Sequence, residues 1–259
     1  MKKIEDNFVI DGVMFNSRLI MGTALFPNEK VLDEALDESG CEIVTVAIRR
    51  IDLKSKYNIF KSLRKKYTFL PNTAGCFTSK EAILTAELGR EALETNFIKL
   101  ELISDEKTLL PDTVELINSA KELIKKKFKV FAYCSDDPVI CKRLEDIGCA
   151  AVMPLVSPIG SGLGIRNEHN LQLIREFCKG VVIVDAGIGK PSDASRVLEL
   201  GIDAVLLNSS VARSMDPVKM AKAMKLAIMS GRYAFLAGMI EKNTYAKRST
   251  EIKGKISNF

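Results

Sequence analysis

The sequence predicts a single (β/α)8 barrel, an α/β fold spanning residues 1–259. Three observations lead there. Short β-rich runs alternate with amphipathic segments along the whole chain, and eight such runs can be counted. The length, 259 residues, is close to the ~250 typical of such a barrel. No linker or low-complexity stretch divides the chain into two units. A doubly wound sheet is the alternative, but it usually carries a phosphate-binding glycine motif after its first strand, and Gly22-Thr23-Ala24-Leu25-Phe26 is not one.

The eight predicted strands are Arg18 to Gly22, Ile43 to Ile48, Thr68 to Asn72, Phe97 to Ile103, Lys129 to Tyr133, Ala150 to Val156, Val181 to Asp185 and Ala204 to Asn208. Between them apolar residues recur at helical spacing in Glu29 to Ser39, Ser79 to Leu93, Asp112 to Lys126, Pro138 to Ile147, Asn170 to Cys178, Ser192 to Leu200 and Pro217 to Met229. Lys54 to Lys66 is a shorter helical candidate. Helix starts are legible at Thr78-Ser79, Asp136-Asp137-Pro138, Pro191-Ser192-Asp193 and Asp216-Pro217. Gly40, Gly148 and Gly201 fall where a left-handed residue ends a helix. From about residue 246 the chain is a polar tail.

Composition narrows the chemistry. At 47% hydrophobic the chain can build a substantial core, and its net charge of +5 is mild. The basic runs Lys61 to Lys66 and Lys121 to Lys129 read as solvated helix ends, so neither nucleic acid nor a membrane surface is the expected partner. No apolar run is long enough to span a bilayer, and no leader-like segment follows Met1-Lys2-Lys3. Cys41, Cys76, Cys134, Cys141, Cys149 and Cys178 form no CxxC pair or zinc spacing, and are expected as reduced, buried thiols in a cytoplasmic protein. His169 is the only histidine, which argues against a histidine triad or a histidine-rich metal centre; it reads as structural or surface. No metal and no organic cofactor is expected. Met215, Met220, Met224 and Met229 read as core filler.

The fourth strand holds the most informative residue. In Phe97-Ile98-Lys99-Leu100-Glu101-Leu102-Ile103, alternation puts Lys99 and Glu101 on one face and Ile98, Leu100 and Leu102 on the other. Burial lowers a lysine pKa, and a neutral amine attacks carbonyls, so Lys99 is a candidate Schiff-base nucleophile with Glu101 as its proton-transfer group. The competing reading is a structural ion pair, or a strand with one wet face. Three further features fall at strand ends, where barrels gather their chemistry. These are Asp185 before Ala186-Gly187-Ile188-Gly189, Asn208-Ser209-Ser210, and the loop Ser157-Pro158-Ile159-Gly160-Ser161-Gly162-Leu163-Gly164. Taken singly they could be a turn residue, a helix cap and a flexible connection. Their convergence on one end of one barrel favours a site.

The chain also carries Thr45-Val46-Ala47-Ile48-Arg49-Arg50, Pro71-Asn72-Thr73-Ala74-Gly75-Cys76, Ile98-Lys99-Leu100-Glu101, Thr108-Leu109-Leu110-Pro111-Asp112, Val182 to Gly189 and Pro191-Ser192-Asp193-Ala194. In these ordered motifs it resembles the thiazole synthase family of bacterial thiamine biosynthesis over nearly its whole length. The resemblance implies a barrel enzyme acting on 1-deoxy-D-xylulose 5-phosphate. Sulfur would come from a thiocarboxylated sulfur carrier protein, and dehydroglycine (2-iminoacetate) from a separate dehydroglycine-producing enzyme. By motif position Lys99 would form the imine, Glu101 and Asp185 would be the acid–base pair, and Gly160, Ala186, Gly187, Asn208 and Ser209 would bind the phosphate side of the substrate. The family also implies a homotetramer. The chain departs from the family pattern at Ala24-Leu25-Phe26, at Leu163, at Ser209-Ser210-Val211 and in the tail Ala246 to Thr250. Two rivals stand beside this reading: a class I aldolase-like barrel that needs no carrier protein, and a non-catalytic sugar-phosphate-binding barrel.

Overall fold

The structure, a computed structural model, describes residues 6–50 and 63–249. Eight parallel strands close into a barrel: β3 (Leu19–Gly22), β4 (Ile43–Ala47), β5 (Thr68–Asn72), β6 (Phe97–Leu100), β7 (Lys129–Cys134), β8 (Ala151–Pro154), β9 (Val181–Asp185) and β10 (Ala204–Leu207). The ring shuts where β10 pairs with β3, Val205 opposite Leu19. All eight predicted strands are present. The fourth is shorter than predicted, because beyond Leu100 the chain leaves the ladder and Ile103 bridges Pro111 across its own loop.

Two strands escaped the sequence reading. β1 (Phe8–Ile10) and β2 (Val13–Phe15) form an antiparallel hairpin turned by Asp11-Gly12, both at positive φ (50° and 81°). This is the backbone a two-residue hairpin loop demands. Phe8, Ile10 and Phe15 are buried against the inward residues of the barrel's lower half, among them Ile20, Ile43, Leu70, Phe131 and Ile183. Each such side chain contributes about 1.5–3 kcal/mol by leaving water. The hairpin therefore floors the barrel.

The helices are α1 (Glu29–Ser39), α2 (Ser79–Leu93), α3 (Thr113–Lys125), α4 (Pro138–Asp146), α5 (Glu168–Phe177), α6 (Pro191–Glu199), the single turn α7 (Ser209–Ala212) and α8 (Pro217–Ala237). Side chains of Asn28, Thr78, Asp112, Asp137, Asn167 and Asp216 accept from the first free backbone N–H groups of α1 to α5 and α8. Gly40, Gly148 and Gly201 stand at positive φ after α1, α4 and α6, as predicted. The candidate helix Lys54 to Lys66 lies mostly outside the described residues. α8 runs past its predicted end at Met229 because Gly231 packs a helix instead of stopping one: a Cβ there would collide with the Ser195 backbone of α6.

Pleating sorts the strand residues into two cores. Outward residues such as Val44, Val46, Ile98, Leu100, Val130, Val182 and Val205 join the helices in the larger cluster. Inward residues fill the barrel and, at its upper end, give way to polar side chains. All six cysteines are free, five of them buried. The methionine expectation needs correcting. Met224 is core and Met220 packs against it at the cavity's border, but Met229 is exposed, because α8 turns only one stripe inward, and Met215 is exposed in the turn before α8. His169 is exposed on α5. Among the described residues no helix is long and apolar enough to cross a membrane.

Candidate active site

Lys99 points into the barrel from β6, and alternation carries Glu101 to the same side. Asp185 reaches the same point from the end of β9. The Lys99 Nζ lies 2.5 Å from Asp185 Oδ2 and 3.5 Å from Glu101 Oε2. All three residues are buried, at 5%, 7% and 4% exposure. The ammonium also sits 5.6 Å from the centre of the Tyr133 ring, within cation–π range.

Glu101 lies just past the end of β6, so a side chain replaces the ladder in holding it. Thr73, fully buried, donates from Oγ1 to the Glu101 carbonyl at 2.8 Å and accepts from the Glu101 N–H at 2.8 Å. The Thr73 N–H donates to the Lys99 carbonyl. One residue thus fixes the backbone on both sides of Leu100. The sequence reading missed Thr73, for nothing local marks it. It also missed Tyr133, which strand parity with Phe131 places inside the barrel. The Tyr133 hydroxyl donates to the Leu109 carbonyl at 3.3 Å, tying down the loop after β6.

Electrostatics correct one expectation. Burial alone drives the Lys99 ammonium toward neutrality, but Asp185 and then Glu101 outweigh it, and the lysine pKa stands above its ordinary value. A desolvated barrel interior therefore does not by itself deliver a neutral amine. Burial pushes the Glu101 carboxyl up; Lys99 pulls it back and Asp185 pushes it further, leaving it above the usual carboxylate value. Lys99 and Glu101 are thus a buried, electrostatically coupled pair 3.5 Å apart. Burial and the two carboxylates push the Tyr133 phenol far up, so it remains a hydrogen-bond donor.

Above this trio opens a cavity of about 740 Å³. Lys99, Glu101, Asp185, Gly160, Ala186, Gly187, Asn208 and Ser209 all line it, so the structure brings together the eight residues to which motif position gives catalytic or substrate-binding roles. The loops after β8 and β9 are fastened to each other: Gly164 N–H donates to the Gly187 carbonyl at 2.9 Å, and the Ser157 hydroxyl to the same carbonyl at 3.2 Å. Only glycine fits at 187, where φ is +88° and a Cβ would lie 2.5 Å from the Ser157 nitrogen. Ala186, with no such freedom, is also held at positive φ (78°), a strained conformation of the kind that gathers at functional sites. The Asn208 side chain packs against the bare face of Gly22, and its buried Oδ1 has no hydrogen-bond partner among the described residues. Arg213, also missed in the sequence, borders the cavity from the end of α7. Among the described residues no cluster of three or more His, Cys, Asp or Glu is arranged to hold a metal ion.

Comparison with known proteins agrees with this architecture. The family described as thiazole biosynthesis protein ThiG matches residues 9–251. A thiazole synthase of Geobacter sulfurreducens is 51% identical over 259 residues, covering 99% of this chain and 100% of its own length. One from Aquifex aeolicus is 51% identical over 257 residues, covering 98% of this chain and 96% of its own. Among solved structures, a chain of the Amycolatopsis orientalis BexX/CysO complex superposes with a TM-score of 0.83 at 24% identity, covering 92% of this chain and 98% of that one, a likeness of fold. The chain belongs to the ThiG family, the thiazole synthases of thiamine biosynthesis.

Proposed function

We propose that this enzyme builds the thiazole phosphate through a Schiff base at Lys99. The substrates are 1-deoxy-D-xylulose 5-phosphate, dehydroglycine and sulfur from a thiocarboxylated carrier protein. The observation that carries the reading is a lone ammonium held between two buried carboxylates at the base of a cavity rimmed by glycine loops. In the first step Lys99 passes a proton to Glu101, whose raised pKa suits it to accept one, and the freed amine attacks the sugar ketone. Loss of water leaves a protonated imine, which acidifies the neighbouring carbon. Glu101 and Asp185 then remove and return protons, moving the carbonyl along the sugar to where sulfur attacks. Further loss of water and closure with dehydroglycine complete the ring. The phosphate end lies against Ala186, Gly187, Asn208 and Ser209, on the seventh- and eighth-unit loops where barrels commonly bind phosphate, and against Gly160 of the sixth. The enzyme works in the cytoplasm as a single-domain homotetramer, with the carrier protein and the dehydroglycine-producing enzyme as partners.

The test is intact mass after incubation with 1-deoxy-D-xylulose 5-phosphate and borohydride, in wild type and Lys99→Ala. A reduced adduct is expected in wild type alone. An adduct in both proteins would move the nucleophile elsewhere, and an adduct in neither would remove the Schiff base. Dependence of turnover on the thiocarboxylate separates this reading from an aldolase-like barrel.

A further inference from the structure

Among the described residues, four charged side chains line the upper cavity: Lys99, Glu101, Asp185 and Arg213. The first three form a closed group at its base, with a formal charge of −1. That group repels a phosphate dianion. Arg213 is the remaining charge, and its guanidinium has no hydrogen-bonded or ion-paired partner among the described residues. Cations elsewhere on the molecule, such as Arg175, Arg196 and Arg232, are each matched to a carboxylate.

Its placement is specific. α7 is one turn long, so Ser209 and Arg213, four residues apart, project to the same side. They converge on Gly160, whose backbone stands at φ +72°. The point where a Cβ would sit on Gly160 is 3.7 Å from Arg213 Nη1 and 3.7 Å from Ser209 Oγ. That point is vacant because residue 160 is glycine. It leaves a pocket bounded by a forked cation and a hydroxyl, two groups suited to phosphate oxygens.

We propose that Arg213 is the residue by which the enzyme reads the phosphate of its substrate. Its guanidinium and the Ser209 hydroxyl grip the phosphate oxygens beside Gly160. This rests on the sugar-phosphate reading given above. The backbone loops can shape a phosphate cradle, but they carry no net charge; Arg213 supplies the charge that offsets the base of the site. Being exposed, it acts through a contact that salt weakens.

The experiment is borohydride trapping as a function of sugar concentration, with 1-deoxy-D-xylulose 5-phosphate and with the unphosphorylated sugar, in wild type, Arg213→Lys and Arg213→Met. The quantity read is the preference for the phosphorylated sugar. We expect it to fall about ten- to hundredfold in Arg213→Met, the range of a charge-assisted contact, and less in Arg213→Lys. A preference equal to that of wild type, whether or not both sugars are trapped more weakly, would overturn the assignment. If wild type traps neither sugar, the sugar-phosphate reading fails, and titration calorimetry with inorganic phosphate decides Arg213 separately. Binding at least tenfold tighter to wild type than to Arg213→Met sustains an anion site there; equal or absent binding removes it.

Discussion

Replacing Lys99 with methionine keeps most of the side chain's bulk and removes the one positive charge from a buried group of three. The formal charge falls from −1 to −2, and two buried carboxyls lose the ammonium that both approach within 3.5 Å. Removing one partner of a buried ion pair typically costs about 3–5 kcal/mol. At about 2.1 cal/mol/K of unfolding entropy per residue, a chain of 259 residues should lose about 6–9 °C in Tm. The sign of the pH dependence follows from Glu101. Its folded pKa is raised above the ordinary 4.5, so between those two values the folded state holds the extra proton. Stability therefore falls as pH rises through that window, and loss of the ammonium extends the window upward. Lys99 itself, raised above 10.5, would contribute pH dependence only above that value, outside the range needed here. Asp185→Asn makes the opposite change, taking the group from −1 to 0, and should leave Tm within about 2 °C of wild type or raise it. Scanning calorimetry at pH 5, 6.5 and 8 reads both variants. Equal losses in the two, or a Lys99→Met deficit that does not grow between pH 5 and 8, would mean that packing and not charge sets the energetics of the site.

The same charges govern reactivity. Single-turnover imine trapping should accelerate with pH in wild type, and in Asp185→Asn the rise should move to lower pH, because the strongest influence raising the lysine pKa is gone. That variant should also accumulate the imine without closing the ring; an unshifted profile, or normal turnover, would remove Asp185 from the proton chemistry. The fastened loops predict a contrast between two alanines. Gly187→Ala adds a Cβ 2.5 Å from the Ser157 nitrogen and 2.6 Å from its carbonyl oxygen, and should cost about 2–5 kcal/mol in urea denaturation, overpacking of ~1–3 and left-handed strain of ~1–2 together. Gly148→Ala has a similar φ but nothing within 4 Å, and should cost the strain alone, ~1–2 kcal/mol. Equal losses would show that the loops are not locked at Ser157.

Much of the barrel was legible because its signal is periodic. Parallel strands buried on both faces read as apolar runs, and helices such as Glu29–Ser39 and Ser79–Leu93 carry their periodicity and their caps in plain order. The hairpin was missed because strands of three residues are too short for a period to show. Its Asp11-Gly12 turn, set between Val9-Ile10 and Val13, was nonetheless a readable signal. At the site, parity within one strand placed Lys99 and Glu101 together. What parity cannot supply is a neighbour from elsewhere in the ring. Asp185 arrives from β9 and joins Glu101 in outweighing burial at Lys99, and Thr73 arrives from beyond β5 to hold Glu101 where the strand has already ended. Arg213 was hidden for a related reason, since its bearing depends on a single turn of helix and on the absence of a side chain at residue 160.

The hairpin beneath the barrel has a kinetic consequence. With Phe8, Ile10 and Phe15 stoppering the lower end, no path among the described residues runs through the floor of the barrel, so reactants, water and product pass the upper rim. Events in such a chamber queue: what binds deepest enters first and leaves last. On the proposed mechanism a sugar tethered to Lys99 would sit behind whatever follows it in, and a macromolecule seated over the rim would act as a cork that keeps half-made intermediates from diffusing away.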